Sequence, residues 1–102
     1  MIGVIATLTV AEGKNAEFEA IFTELAKQVK ANEPGCHAYQ LTRSRANPQV
    51  YKVLELYADE AALKHHGGTE YFKAAGPQMG PCRGGRPEIE YLDGGGSGDA
   101  NH

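Results

Sequence analysis

Tryptophan is missing from this 102-residue chain, and cysteine occurs only twice. Cys36 and Cys82 sit in different segments without a C-x-x-C spacing, so neither a disulfide framework nor a zinc site is indicated, and both read as free thiols. Long apolar runs are lacking too. The opening Met1-Ile2-Gly3-Val4-Ile5-Ala6-Thr7-Leu8 is far too short to span a bilayer and has no positively charged segment before it, so it reads as the first strand of a cytoplasmic protein with no membrane partner. There is no excess of positive charge: 10 Lys+Arg stand against 13 Asp+Glu, a net charge of -3, which removes the basic footprint of a nucleic-acid binder. Gly-x-Gly-x-x-Gly, the Walker loop and the Ser-His-Asp order are all absent, leaving nicotinamide, nucleotide and hydrolase readings without support. The adjacent His65 and His66 cannot both face one metal from a helix, so no metal site is expected.

What is present fits one ordinary globular domain, with 41% hydrophobic and 23% charged residues. Ile2, Val4, Ala6, Leu8 and Val10 alternate with Gly3, Ile5, Thr7 and Thr9, which predicts a strand with one strongly apolar face. Asn15 then reads as a helix N-cap, with Glu17 and Glu19 where the helix dipole favours acids. Phe18, Ile21, Phe22, Leu25 and Val29 recur at helical spacing until Asn32-Glu33-Pro34-Gly35 ends the run. Residues 36–44 form a second strand with His37, Tyr39, Leu41 and Arg43 on one face, and 45–49 a hairpin turn. Residues 50–57 form a third strand, with Tyr51, Val53, Glu55 and Tyr57 sharing a face. Asp59 caps a short helix through His66, and Thr69 caps another turn through Ala75 before Gly76-Pro77. An irregular loop over 78–87 precedes a fourth strand over 88–92.

The order strand-helix-strand, strand-helix-strand predicts an α+β fold of the split βαβ, ferredoxin-like kind: a four-stranded antiparallel sheet with helices on one face. The domain is expected over 1–93 and a flexible C-terminal tail over 94–102. The other sheet face is expected to carry Ile5, Tyr39, Leu41, Tyr51 and Val53, an apolar patch that a back-to-back homodimer would cover.

Glu33-Pro34-Gly35-Cys36 before a strand, Tyr51 to Asp59 as an aromatic and acidic strand, and Ala62-Leu63-Lys64-His65-His66 followed by Tyr71-Phe72-Lys73 resemble antibiotic biosynthesis monooxygenase domains. The opening strand and Gly13-Lys14 are similar as well, so the resemblance spans roughly residues 1 to 92. It implies a dimeric α+β barrel and a quinol monooxygenase-like activity that uses no cofactor. The group also contains heme-degrading enzymes and an isomerase of a phosphorylated sugar. Heme-degrading relatives place an asparagine, a tryptophan and a ligating histidine where this chain has Ala6, His66 and Gly76, so no heme is expected.

His66 shares a helix face with Ala62 and Leu63 and is the first candidate for catalysis, as a base that takes a proton from a phenolic substrate. The alternative is a helix-end histidine bonding a backbone carbonyl near Gly67-Gly68. Tyr71 stands where many relatives carry a second histidine and would supply a hydroxyl. Tyr57, Tyr51 and Tyr39 are candidates to line a cavity for a small aromatic substrate that reacts with O2, while Glu55 reads as a partner of Arg43 or of a group across a dimer interface. Arg43 and His37 are candidates to bind an acidic substrate group, which would suit an isomerase of a polar or phosphorylated substrate. Arg83 and Arg86 flank Gly84-Gly85 in a loop without a phosphate-binding motif. A non-catalytic small-ligand or stress-related binding protein is the remaining alternative.

Overall fold

Strict alternation over the first residues and helical spacing over the next segment produce the expected elements, here seen in a computed structural model that describes residues 1–95. Their order is β1 (Ile2–Thr9), α1 (Asn15–Asn32), β2 (Cys36–Arg43), β3 (Val50–Tyr57), α2 (Glu60–Gly67), α3 (Glu70–Met79), a 3-10 turn at Gly80–Cys82, and β4 (Glu88–Asp93). Of the expected tail, residues from 96 onward lie outside the described residues. The four strands form one antiparallel sheet in the order β2-β3-β1-β4, with the helices on one face, a ferredoxin-like split βαβ fold. No helix among the described residues is long and apolar enough to cross a membrane.

Register decides what each face carries. Ala6 pairs with Val53 and Ile89, and Leu41 pairs with Val53, so these four side chains share the helix-facing side. Two residues along, Tyr39, Glu55, Val4 and Tyr91 make the next row on the same side. Phe22 of α1 stacks on Tyr39 with centroids 5.4 Å apart, and Phe18 packs on Tyr51 at 4.8 Å. The expectation that Tyr39, Leu41, Tyr51 and Val53 occupy the open face is therefore corrected. The aromatic stripe of α1 needs flat apolar partners, and those side chains supply them. The open face instead carries Ile5, Leu54, Leu56 and Leu92 among Thr7, Lys52, Thr42 and Glu90.

Local details differ from expectation for identifiable reasons. Asn15 does not cap α1; its amide donates to the Pro48 carbonyl at 3.1 Å and the Tyr51 hydroxyl at 2.9 Å, tying the helix start to the hairpin. Asp59 does cap α2, accepting from the Ala62 amide at 2.9 Å. Helix α3 continues past Ala75 through Pro77 to Met79, because buried Ala75 and core-packed Met79 hold its last turns although Pro77 gives up a hydrogen bond. An irregularity between Cys36 and Ala38 makes His37 the extra residue of β2, leaving it exposed and out of line with Tyr39. Gly35 lies under α2: a Cβ there would sit 2.7 Å from the Ala62 Cβ, so only glycine lets α2 approach this turn.

Candidate active site

Between the sheet and the α2–α3 pair lies a cavity of about 560 Å³. Its floor is the helix-facing row Val4, Ala6 and Leu8 with Val53; Phe72, Gly76 and Met79 of α3 form its roof. Tyr39, Glu55 and His66 give it polar groups near one end. The apolar floor follows directly from strand alternation; Tyr39 and Glu55 are strand positions where that alternation is broken by a tyrosine or an acid, and His66 enters from α2.

His66 is 4% exposed, as is Glu33. Its Nδ1 lies 3.1 Å from both carboxylate oxygens of Glu33. A carboxylate accepts only, so Nδ1 carries the proton and donates. Among the described residues Nε2 has no protein partner and no fully buried side-chain nitrogen or oxygen lacks one, so Nε2 opens to the cavity that His66 lines. The ring is packed by Phe72 at 4.6 Å, Tyr39 at 5.1 Å and Tyr57 at 5.5 Å between centroids. The hydroxyl of Thr69 donates to the His66 carbonyl at 2.8 Å, fixing the end of α2. His66 is thus held by a carboxylate, not by a backbone carbonyl near Gly67-Gly68.

Glu33 is the partner of His66 that the sequence reading did not single out. It caps α1, its amide donating to the Val29 carbonyl at 2.9 Å, and its Oε2 also accepts from the Tyr71 hydroxyl. The signal was available: Glu33 follows Val29 by four residues, so the buried stripe of α1 runs straight onto an acid. Tyr71 is therefore behind His66, bonded to the carboxylate, and does not line the cavity. Burial, then the Glu33 bond and charge, push its pKa up to about 12.

Glu55 faces the cavity beside Tyr39 and accepts from the Tyr57 hydroxyl at 2.6 Å. Burial lifts its carboxyl above the ordinary glutamate range, although the Tyr57 bond and His66 pull it down; the charge of Glu33 adds to the rise. Tyr39 and Tyr57 are also shifted upward, by burial first and then by Glu55, so neither is an anion at neutral pH. Cys36 is pushed up to about 11 by burial and by the Glu33 and Glu55 charges, which makes it a poor nucleophile.

The remaining candidates are elsewhere. Tyr51 bonds Asn15 and Glu19 at the far end of the sheet. Arg43 stays there as well, donating from Nε to the Pro48 carbonyl at 2.8 Å, lying 3.8 Å from Glu19 and over the Tyr51 ring at 5.5 Å. Its pairing with Glu55 is not formed, and neither it nor His37 lines the cavity. Tyr57 touches the site through Glu55 and the His66 ring without lining the cavity itself.

The sequence profile of the family described as antibiotic biosynthesis monooxygenase matches residues 1–78. The chain belongs to the antibiotic biosynthesis monooxygenase family. A solved structure of a "putative antibiotic biosynthesis monooxygenase" from Caulobacter crescentus is 67% identical, covers 91% of this chain and 88% of that one, and superposes with a TM-score of 0.89. A conserved protein from Methanosarcina mazei Go1 is 28% identical, with 89% of each chain covered and a TM-score of 0.84. A further antibiotic biosynthesis monooxygenase structure is 26% identical over 92% of this chain and 98% of that one, at a TM-score of 0.84. No curated protein matches the chain. The matched family region contains the whole Glu33–His66–Tyr71 network and Glu55, but ends before Arg83 and β4.

The direction of the Glu55 shift fixes a pH dependence. Because the folded state holds the Glu55 proton to higher pH than the unfolded chain does, its contribution is fully present below the ordinary glutamate pKa and is lost as pH rises through the raised value. Glu55→Gln keeps the oxygen that Tyr57 donates to and cannot ionise. Urea denaturation across pH should show it more stable than wild type at neutral pH, with the difference closing in acid. A difference that is constant with pH would contradict the assignment.

Proposed function

We propose that this protein is a monooxygenase that oxidises a quinol-like or polycyclic phenolic substrate with O2 and needs no cofactor to do so. The observation that carries the reading is His66: its Nδ1 is held by Glu33 while Nε2 opens to a largely apolar cavity large enough for a fused aromatic. Family membership supports the same class of chemistry.

In this reading His66 Nε2 takes the proton of a bound phenol, and Glu33 stabilises the imidazolium that results, as a carboxylate does behind a catalytic histidine. The substrate anion is electron-rich enough to give an electron to O2, the two radicals combine to a peroxide anion, and the His66 imidazolium returns its proton to make the hydroperoxide. Breakdown of the hydroperoxide leaves one oxygen atom on the substrate carbon, while the other departs in water with the two hydrogens lost from the substrate; no external reductant is consumed. Apolar walls keep water from the anion, and the Tyr39 ring braces the imidazole. The isomerase alternative required Arg43 and His37 in the cavity, and neither lines it.

The functional unit in this proposal is a homodimer formed through the open sheet face. Leu54, Leu56 and Leu92 there are 43%, 40% and 41% exposed, and they run beside Ile5 as a stripe that a second copy can cover symmetrically. A Leu54→Glu, Leu56→Glu double variant is expected to halve the mass measured by light scattering; a wild-type protein already monomeric at micromolar concentration would contradict the dimer.

Oxygen uptake with a panel of reduced quinones and anthrones tests the chemistry. Uptake above autoxidation should fall at least 100-fold in His66→Ala and by a smaller factor in Glu33→Gln. Undiminished uptake in His66→Ala would remove the base from the mechanism, and no protein-dependent uptake with any compound would remove the oxygenase reading.

A further inference from the structure

The cavity is polar at both ends. His66, Glu55 and Tyr39 lie at the Val4 level of β1, whereas Arg83 lines the other end, where its backbone bridges Val10. Val4, Ala6 and Leu8 are successive floor residues between them, a run of about 13 Å at the rise of an extended strand. That length matches two or three fused aromatic rings.

The Arg83 backbone is fixed and its side chain is uncommitted. Its amide donates to the Gly80 carbonyl at 3.1 Å, the next amide, of Gly84, donates to the Thr9 carbonyl at 2.8 Å, and Gly84 sits so close to Val10 that a Cβ would meet its carbonyl carbon at 3.0 Å. Yet the guanidinium makes no ion pair or side-chain hydrogen bond among the described residues. The other lysine or arginine lining the cavity, Lys73, lies 3.7 Å from Glu70. Arg86, three residues further along the same loop, does not line the cavity.

We propose that Arg83 binds an anionic substituent, a carboxylate in the simplest case, at the end of a fused aromatic substrate opposite the hydroxyl that meets His66. The proposal rests on the cavity being the substrate site, and it narrows the substrate class from phenols in general to long, flat hydroxyaromatic acids. A guanidinium takes a carboxylate through two parallel charge-assisted bonds, and at the rim of an apolar cavity those bonds also select which end of the ligand enters first. A carboxylate placed at the His66 end would instead meet Glu55, the acid that lines the cavity there, so charge at both ends enforces one orientation.

Binding, measured by calorimetry on the full chain, separates this proposal from the chemistry. The probes are 6-hydroxy-2-naphthoate, its methyl ester, and 3-hydroxy-2-naphthoate, in which acid and hydroxyl are adjacent. The 6-hydroxy acid is expected to bind about tenfold or more tightly than its ester and than the 3-hydroxy isomer. Arg83→Gln should erase the preference for the acid while leaving ester affinity unchanged, and Arg86→Gln should leave both unchanged. An acid preference that survives Arg83→Gln, equal binding of the two isomers, or no binding of any probe by the wild type would overturn it. Loss of oxygen uptake with the Arg83-dependent preference intact would count against the oxygenase reading alone.

Discussion

One buried carboxylate holds the site together. Glu33 ends α1, receives the Nδ1 proton of His66 from α2 and the hydroxyl proton of Tyr71 from α3, and so joins three helices at one buried point. A carboxylate this deep is tolerated only because its oxygens are bonded; removing one partner of such a buried pair typically costs on the order of 3–5 kcal/mol. That dependence explains why Nε2 of His66 is held toward the cavity. His66 cannot rotate without uncovering Glu33, and Glu33 cannot withdraw without freeing Tyr71.

The sheet supplies the second constraint. Register puts Tyr39 and Glu55 side by side in the row that α2 covers, and the same alternation makes the adjoining floor apolar. The helix layer is short at the β4 side, leaving Ile89 and Tyr91 on the helix-facing surface 48% and 65% exposed at the cavity edge. A cavity exists because α2 and α3 cover less of the sheet than α1 does. Its polar end and its mouth both lie along the same gap.

Much of this was legible in the residues. Strand alternation and the α1 stripe gave the element order and therefore the topology, and the inward position of His66 followed from its spacing to Ala62 and Leu63. Which face of β2 and β3 meets the helices was not, because both faces of β3 carry apolar side chains and only pairing with β1 decides between them. Arg43 and Glu55 looked like partners on alternating positions; the nearness of Glu19 and of the Tyr51 ring, both brought there by tertiary packing, claims Arg43 instead. Glu33 was readable as an acid on a buried stripe, but its partners are more than thirty residues away in sequence and no local pattern names them. Arg83 is similar: the bridge from Val10 that carries it to the cavity is a long-range contact.

The central claim is that Glu33 sets the His66 tautomer and leaves Nε2 as the free base. Nitrogen-15 NMR of the imidazole side chains, with His66 assigned by its absence in His66→Gln, tests it most directly. The account predicts that, at a pH where the ring is neutral, its proton is on Nδ1 with an unprotonated, pyridine-like Nε2, and that a mixture of tautomers appears once Glu33 is replaced by glutamine. A wild-type ring protonated at Nε2, or one whose tautomer ignores Glu33, would contradict it.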